Sequence, residues 1–200
     1  MNPSVNSQRR HKSRGQATLE FVFILPLVFA LILSILEFST MLVQTQRILA
    51  IAREAANAPF RDCNGLVNVG GNTALDDCID QIIAPTDSVY STAVNLLPDF
   101  ANRGRIIVSV YRWDTALAPP GAVLDSQRTQ GVTDPAFVSQ FGLLGSGLRA
   151  VDATIATGNL VKNHGTITIG EVYYTYQPIT IIGTLLGTFI PGYLYEFTVY

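Results

Sequence analysis

The chain has 200 residues, of which 48% are apolar and 14% charged. Soluble domains carry roughly 25% charged residues, so part of this chain avoids water, and its apolar content excludes a disordered protein. Thirteen lysines and arginines stand against fifteen acids, and this balance provides no basic surface for nucleic acid.

The basic residues that matter are concentrated at the N terminus. Residues 1–15 contain Arg9, Arg10, Lys12 and Arg14 and no acid. Nine bases and fifteen acids therefore remain in residues 16–200, a net charge of −6. Residues 1–15 are polar and show no apolar periodicity, so they are predicted to be an unfolded leader or cytoplasmic tail.

A membrane span is predicted directly after this basic stretch. Residues 21–36 read FVFILPLVFALILSIL without a charge, and the less polar flanks from 16 to 43 supply the ~20 residues that a bilayer crossing requires. Because basic residues next to a span stay in the cytoplasm, the bulk of the chain is expected outside it.

An ordinary secretory signal peptide is the alternative to an anchor. Its cleavage site would have to follow the apolar core closely, but the nearest A-x-A stands at 50–52, beyond Gln44 and Arg47. An acid at the head of the core, Glu20, also has no use in a signal peptide. Both features favour a retained span.

One long helix is expected to continue past the membrane. Residues 37–57 contain good helix formers and no Gly or Pro. An apolar stripe at helical spacing consists of Ile48, Ile51, Ala52, Ala55 and Ala56. With Pro59 as its predicted end, the helix would run from about residue 17 to 58 and measure ~60 Å.

The remaining residues, 59–200, are predicted to form an extracytoplasmic α+β head domain with an antiparallel sheet. A loop is expected at 61–72 and helices at 73–83 and 86–96. Strands are expected at 105–113, 122–127, 166–176 and 193–200, and loops at 118–121 and 142–147.

Cys63 and Cys78 are the only cysteines. Outside the cytoplasm such a pair is predicted to form a disulfide, which would restrict the unfolded chain by ~3 kcal/mol. A metal site at Asp76, Asp77, Cys78 and Asp80 is the alternative. It matches neither zinc nor calcium ligand spacing, so no metal or other cofactor is expected.

The distinctive chemistry lies where the leader meets the span. The sequence there is RGQATLEF, which places Gly15 five residues before Glu20. A carboxylate at the mouth of a span needs neutralisation. Cleavage after Gly15 would create an α-amino group on Gln16, about one helical turn from Glu20. Alternatively, Glu20 is an acid at headgroup level that the helix dipole favours.

This segment resembles the prepilin cleavage motif of type IV pilin-like proteins, with Gly15, then four residues, then Glu20 and Phe21. Together with Leu36-Glu37-Phe38, this segment resembles the TadE family of tight adherence (Flp) pilus assembly proteins. The resemblance implies a minor pseudopilin with a pilin-like fold. Gly15 would be the last leader residue, Gln16 the mature N terminus, and Glu20, beside Phe21, the acid used in subunit registration.

The same resemblance implies partners and a location. These are a prepilin peptidase, other minor pilins, the pilus assembly platform and inner membrane lipid, with the N terminus cytoplasmic, the head periplasmic and possible incorporation into the pilus. The resemblance covers residues 14–58, helped moderately by residues 170–178. The chain is larger than the major Flp pilins and shorter than TadG, which leaves the TadE and TadF types.

A protein of another class remains an alternative: an uncleaved signal-anchored protein whose head binds an envelope component, with the motif at Gly15 to Phe21 a coincidence. An enzyme is not expected. His164 is the only histidine outside the leader, and residues 145–150 fit GxGxxA only as letters, without a preceding strand.

Two further features concern the membrane surface. Glu37 lies ~25 Å along the helix from Glu20 and is predicted to mark the outer interface, where an acid that simply ends the span is favoured over a pairing role. The apolar run 179–190 is too short to span a bilayer. It is predicted to be a core or partner-contacting helix, with lipid or a fellow minor pilin as its alternative contact.

Overall fold

The computed structural model describes residues 8–66, 72–116, 121–141, 162–163, 165–185 and 191–200. Side chains are described from residue 18 onward, apart from 64, 72 and 182 within these ranges. Residues 118–120 of the predicted loop at 118–121, the predicted loop at 142–147, the GxGxxA stretch and His164 lie outside the described residues, whereas Gly121 begins β2.

The chain folds as an α+β protein that begins with one long helix. The helices are α1 (Gln8–Cys63), α2 (Asn72–Ile83), α3 (Ser88–Leu96), α4 (Phe100–Arg103) and α5 (Ile181–Leu185), with a 3-10 turn at Asn64–Leu66. The strands are β1 (Gly104–Asp114), β2 (Gly121–Gly131), β3 (Thr166–Thr175) and β4 (Tyr193–Val199).

Helix α1 is longer than predicted at both ends. It begins at Gln8, inside the predicted unfolded leader, where Gln, Arg and Lys are good helix formers even without an apolar stripe. The prediction that Pro59 ends the helix is wrong, because α1 continues to Cys63. Pro59 removes one backbone donor, but Ala58 is buried and Cys63 is covalently tied to α2. Residues 61–66 are therefore helical rather than loop.

The four strands form one antiparallel sheet in the order β2-β1-β3-β4. Strand β2 extends four residues beyond the predicted 127, because its polar second half pairs with β1 as far as Gly131 opposite Arg105. The register shifts between Val110 and Tyr111, as in a β-bulge.

The structure divides into two compact units. One comprises Met1–Leu42 with Gln177–Pro191, and the other comprises Val43–Tyr176 with Gly192–Tyr200. In the second unit, the predicted apolar stripe of α1 (Ile48, Ile51, Ala52, Ala55 and Ala56) is fully buried.

Small residues let α1 approach the sheet closely. A Cβ added to Gly170 on β3 would lie 2.6 Å from Ala52 O and 2.7 Å from Ala56 N. The backbones of α1 and β3 are therefore in contact at this crossing. The short distance leaves room only for small residues, alanine on α1 and glycine on β3.

The opposite face of the sheet is covered by the segment that follows β2. Phe137 stacks on Tyr173 with ring centroids 5.0 Å apart. The buried carboxylate of Glu171 accepts hydrogen bonds from Gln140 N at 2.8 Å and from the Tyr195 hydroxyl at 2.9 Å. A buried carboxylate with such donors fixes this segment on the sheet.

Candidate processing and assembly site

The predicted processing residues lie on one uninterrupted helix. Gly15 and Gln16 are within α1, which also contains Glu20 and Phe21. The side chains of Glu20 and Phe21 are exposed. Because α1 is continuous here, a chain beginning at Gln16 would keep Glu20 in its first helical turns, about 6 Å along the axis from the new terminus.

A continuous apolar band follows the motif. Nearly every large side chain between Leu19 and Phe38 is exposed, including three phenylalanines besides Phe38. Within the part of the chain that the structure describes, α1 is the one helix long and apolar enough to cross a membrane. A soluble protein would not present such a band to water, so these residues fit a single-pass membrane protein.

Glu37 stands at the end of this band and is buried, with only 5% of its surface exposed. Its carboxylate accepts hydrogen bonds from the backbone N–H groups of Ile179, at 3.1 and 3.2 Å, and of Thr180, at 2.8 Å. The favoured interpretation, an acid that merely ends the span, is therefore corrected, because Glu37 has a pairing role. The hydrogen bonds join residues that are 142 positions apart in sequence. Local sequence patterns do not predict such a contact.

The close fit of Glu37 depends on a glycine. A Cβ on Gly183 would collide with the Glu37 carboxyl group. The N–H of Gly183 instead donates to Thr180 Oγ1 at 2.9 Å. Of the predicted helix at 179–190, residues 181–185 form the short helix α5. Residues 186–190 lie outside the described ranges.

The structure contains the expected disulfide. Cys63, the last residue of α1, is bonded to Cys78 on α2 with a Cα–Cα distance of 6.0 Å. The bond joins the end of the long helix to the second helix of the same compact unit.

Two of the acids near Cys78 pair α2 with β2. Arg128 on β2 lies 2.5 Å from Asp76 and 3.3 Å from Asp80, and Ser126 donates a hydrogen bond to Asp76. Among the described residues, no group of three or more His, Cys, Asp or Glu is placed to hold a metal ion.

Two carboxyl groups among the described residues of the head, those of Asp62 and Glu196, have shifted pKa values. A hydrogen bond from the adjacent Arg61 lowers the pKa of the exposed Asp62 carboxyl. Partial burial on β4 raises the pKa of Glu196. Neither group lies next to the processing motif in sequence, and neither adds chemistry to it.

Comparison with known proteins finds a match to the N-terminal region of the chain. Residues 15–57 match the family model described as TadE-like protein. No curated protein and no solved structure matches the chain. The match begins at Gly15 and ends within the buried half of α1, so it covers the motif, the apolar band and the helix surface that packs on the sheet. The N-terminal region of this chain, residues 15–57, is therefore similar to TadE-like proteins.

Proposed function

We propose that the protein is a minor pseudopilin, cut by a prepilin peptidase between Gly15 and Gln16, that supports biogenesis of a tight adherence (Flp) pilus used in adhesion. One observation carries the proposal: the TadE-like match starts at Gly15, shortly before the exposed apolar band of α1. Pilus assembly is a structural activity, and no step of it requires this chain to catalyse a reaction.

The helix geometry explains how cleavage would prepare the subunit. Removal of residues 1–15 takes away the four bases of the leader and leaves one α-amino group at the start of an apolar helix. The carboxylate of Glu20 then lies within reach of an ammonium group, its own or that of a neighbouring subunit. In a low dielectric such a pair sets the depth at which two helices align.

The same proposal places the protein in the bacterial inner membrane. Its head is periplasmic, in agreement with the basic N terminus and with a disulfide. Its partners are the prepilin peptidase, other minor pilins and the assembly platform, and it belongs to the TadE or TadF type. The leader at 1–15, the span and helix at 16–58 and the head at 59–200 are its functional segments.

The deciding experiment is the intact mass and N-terminal sequence of the membrane-extracted protein, produced with and without its cognate prepilin peptidase. We expect a peptidase-dependent start at Gln16. A start at Met1 or Asn2 in both samples would favour the uncleaved anchored binding protein. A start beyond Ser39 would identify a signal peptide and overturn the span.

A pair of variants makes this experiment specific. Gly15→Leu should abolish cleavage, because a peptidase that reads the motif has to accommodate the residue before the cut. Ser7→Leu adds similar bulk to the leader outside the motif and should leave cleavage intact. Equal processing of both variants would count against a prepilin peptidase.

A further inference from the structure

The segment around α5 presents three strongly exposed apolar side chains. Ile181 is 78% exposed, Leu185 76% and Ile179 66%. Residues 177–191 contain no charged side chain at all. Single exposed aliphatic residues are ordinary, but three on one uncharged segment form a surface that water disfavours.

This segment is tied to the membrane helix and belongs to the same compact unit as residues 1–42. The tie is the Glu37 carboxylate, which receives the N–H groups of Ile179 and Thr180. Gly183 lies against the same carboxylate, and a side chain on it would meet Glu37 Oε2 at 2.6 Å. We call these four residues the Glu37 clamp.

The clamp lies at the lipid-facing part of α1. Around Glu37, the side chains of Ile35, Leu36 and Phe38 are all more than half exposed, so the apolar band continues to both sides of the clamped carboxylate. The Glu37 contacts thus hold the exposed side chains of α5 beside a part of α1 whose surface is suited to acyl chains. Backbone N–H groups donate to the carboxylate there, and such partners reduce the cost of placing an acid beside acyl chains.

We propose that residues 178–185 form a second membrane-contacting element, which the Glu37 clamp holds at the boundary between headgroups and acyl chains. Phospholipid is its partner, since the segment has apolar side chains to insert and no charge to bind a polar surface. It is too short to cross the bilayer. The inference requires only that α1 spans a membrane and is independent of cleavage after Gly15.

Fluorescence quenching in phospholipid vesicles tests the contact on the full-length chain. Both native cysteines are consumed by the disulfide, so Ile181→Cys or Leu185→Cys provides one reactive thiol for an environment-sensitive dye. Leu31→Cys, within the apolar band, is the lipid-exposed control. Ser91→Cys, exposed on α3, is the water-exposed control. Each labelled protein is quenched by lipids brominated on the acyl chain and, separately, by iodide.

We expect labels at 181 and 185 to be quenched by brominated lipid and protected from iodide, as at 31 and unlike 91. Quenching by iodide alone would overturn the proposal. Protection from both quenchers would also overturn it, because a second copy of the chain would then cover the face.

The clamp is tested with the same label at 181. Glu37→Ala and Gly183→Ala, which leaves the charge unchanged, should each cause loss of quenching by lipid and a gain of quenching by iodide. Glu54→Ala, an acid further along the same helix, is the matched control and should change neither. Unchanged lipid quenching in both clamp variants would overturn the assigned role of Glu37.

Discussion

Two carboxylates border the apolar band of α1, and their surroundings differ. Glu20 is exposed at its beginning, whereas Glu37 is buried near its end and receives backbone donors. Glu37 is satisfied within the chain, so its role is to fix this chain's own conformation. The exposed Glu20 is the acid that another molecule can reach, which is why the assembly role is proposed for it.

Glu20→Ala should therefore separate processing from assembly. Removal of the charge makes the span more apolar, so insertion and cleavage after Gly15 should persist, while pili should be lost because the amino group of Gln16 loses its counter-charge. The N terminus of the membrane form and the amount of surface pili are the two measurements. Normal piliation in this variant would disprove the registration role, and Glu54→Ala controls for loss of an acid from α1.

Gly170 is the residue on which the approach of α1 to the sheet depends. Gly170→Ala places a Cβ 2.6 Å from Ala52 O, and overpacking of this kind costs about 1–3 kcal/mol of unfolding free energy. The Tm of the solubilised full chain should fall by several degrees. Gly192→Ala, where a Cβ meets nothing within 4 Å, should leave the Tm nearly unchanged. A Tm equal for both variants would contradict the close crossing.

At the scale of elements, periodicity predicts those helices and strands that bury one apolar face. The stripe from Ile48 to Ala56 is buried as expected, because helical spacing and burial are directly related. The N-terminal end of α1 and the second half of β2 escape prediction for the opposite reason. Residues 8–15 and 128–131 carry few apolar side chains, so helix propensity in one case and pairing with β1 in the other decide their structure. The Glu37 clamp joins distant segments and leaves no local signal.

The disulfide acts on elements, since it ties the end of α1 to α2. Loss of the Cys63–Cys78 bond should lower the unfolding free energy by about 3 kcal/mol, because the unfolded chain regains the freedom of the closed loop. Thermal unfolding with and without reductant measures this effect. A chain carrying both Cys63→Ala and Cys78→Ala is the control, and its Tm should not respond to reductant. Equal Tm values of the native chain under both conditions would refute a stabilising bond.

Glu196 on strand β4 makes the free energy of unfolding depend on pH. Burial raises the pKa of this carboxyl above its ordinary value, so the folded chain holds the proton more tightly than the unfolded chain. The folded state is consequently least penalised at pH values below the unfolded pKa, and stability decreases as pH rises through the raised folded pKa. Glu196→Gln should therefore raise the Tm at neutral pH and have little effect near pH 4. An equal change at both pH values would contradict this, and Asp77→Asn, on exposed Asp77, serves as control.

At the scale of the whole molecule, charge and apolar surface are separated along the chain. Four bases precede the apolar band, the band itself is exposed, and the residues after position 15 have a net charge of −6. Composition was sufficient to predict this division, and the α+β class followed from the pattern of elements. The family match covers residues 15–57. It therefore ends before the head domain and gives no information about what the head domain binds.

The charge asymmetry predicts the orientation of the chain in the membrane, and the oxidation state of Cys63 and Cys78 can be used to measure it. Replacement of Arg9, Arg10, Lys12 and Arg14 by Gln should reduce the fraction of chains whose head leaves the cytoplasm, because the bases hold the N terminus inside. Untranslocated heads would keep Cys63 and Cys78 as thiols in a reducing compartment. Alkylation of free thiols in freshly lysed cells, read as a mass shift, counts these chains. A leader with four polar substitutions elsewhere, at Asn2, Ser4, Asn6 and Ser7, should remain fully oxidised. Full oxidation of the Gln variant as well would mean that the bases do not set the orientation.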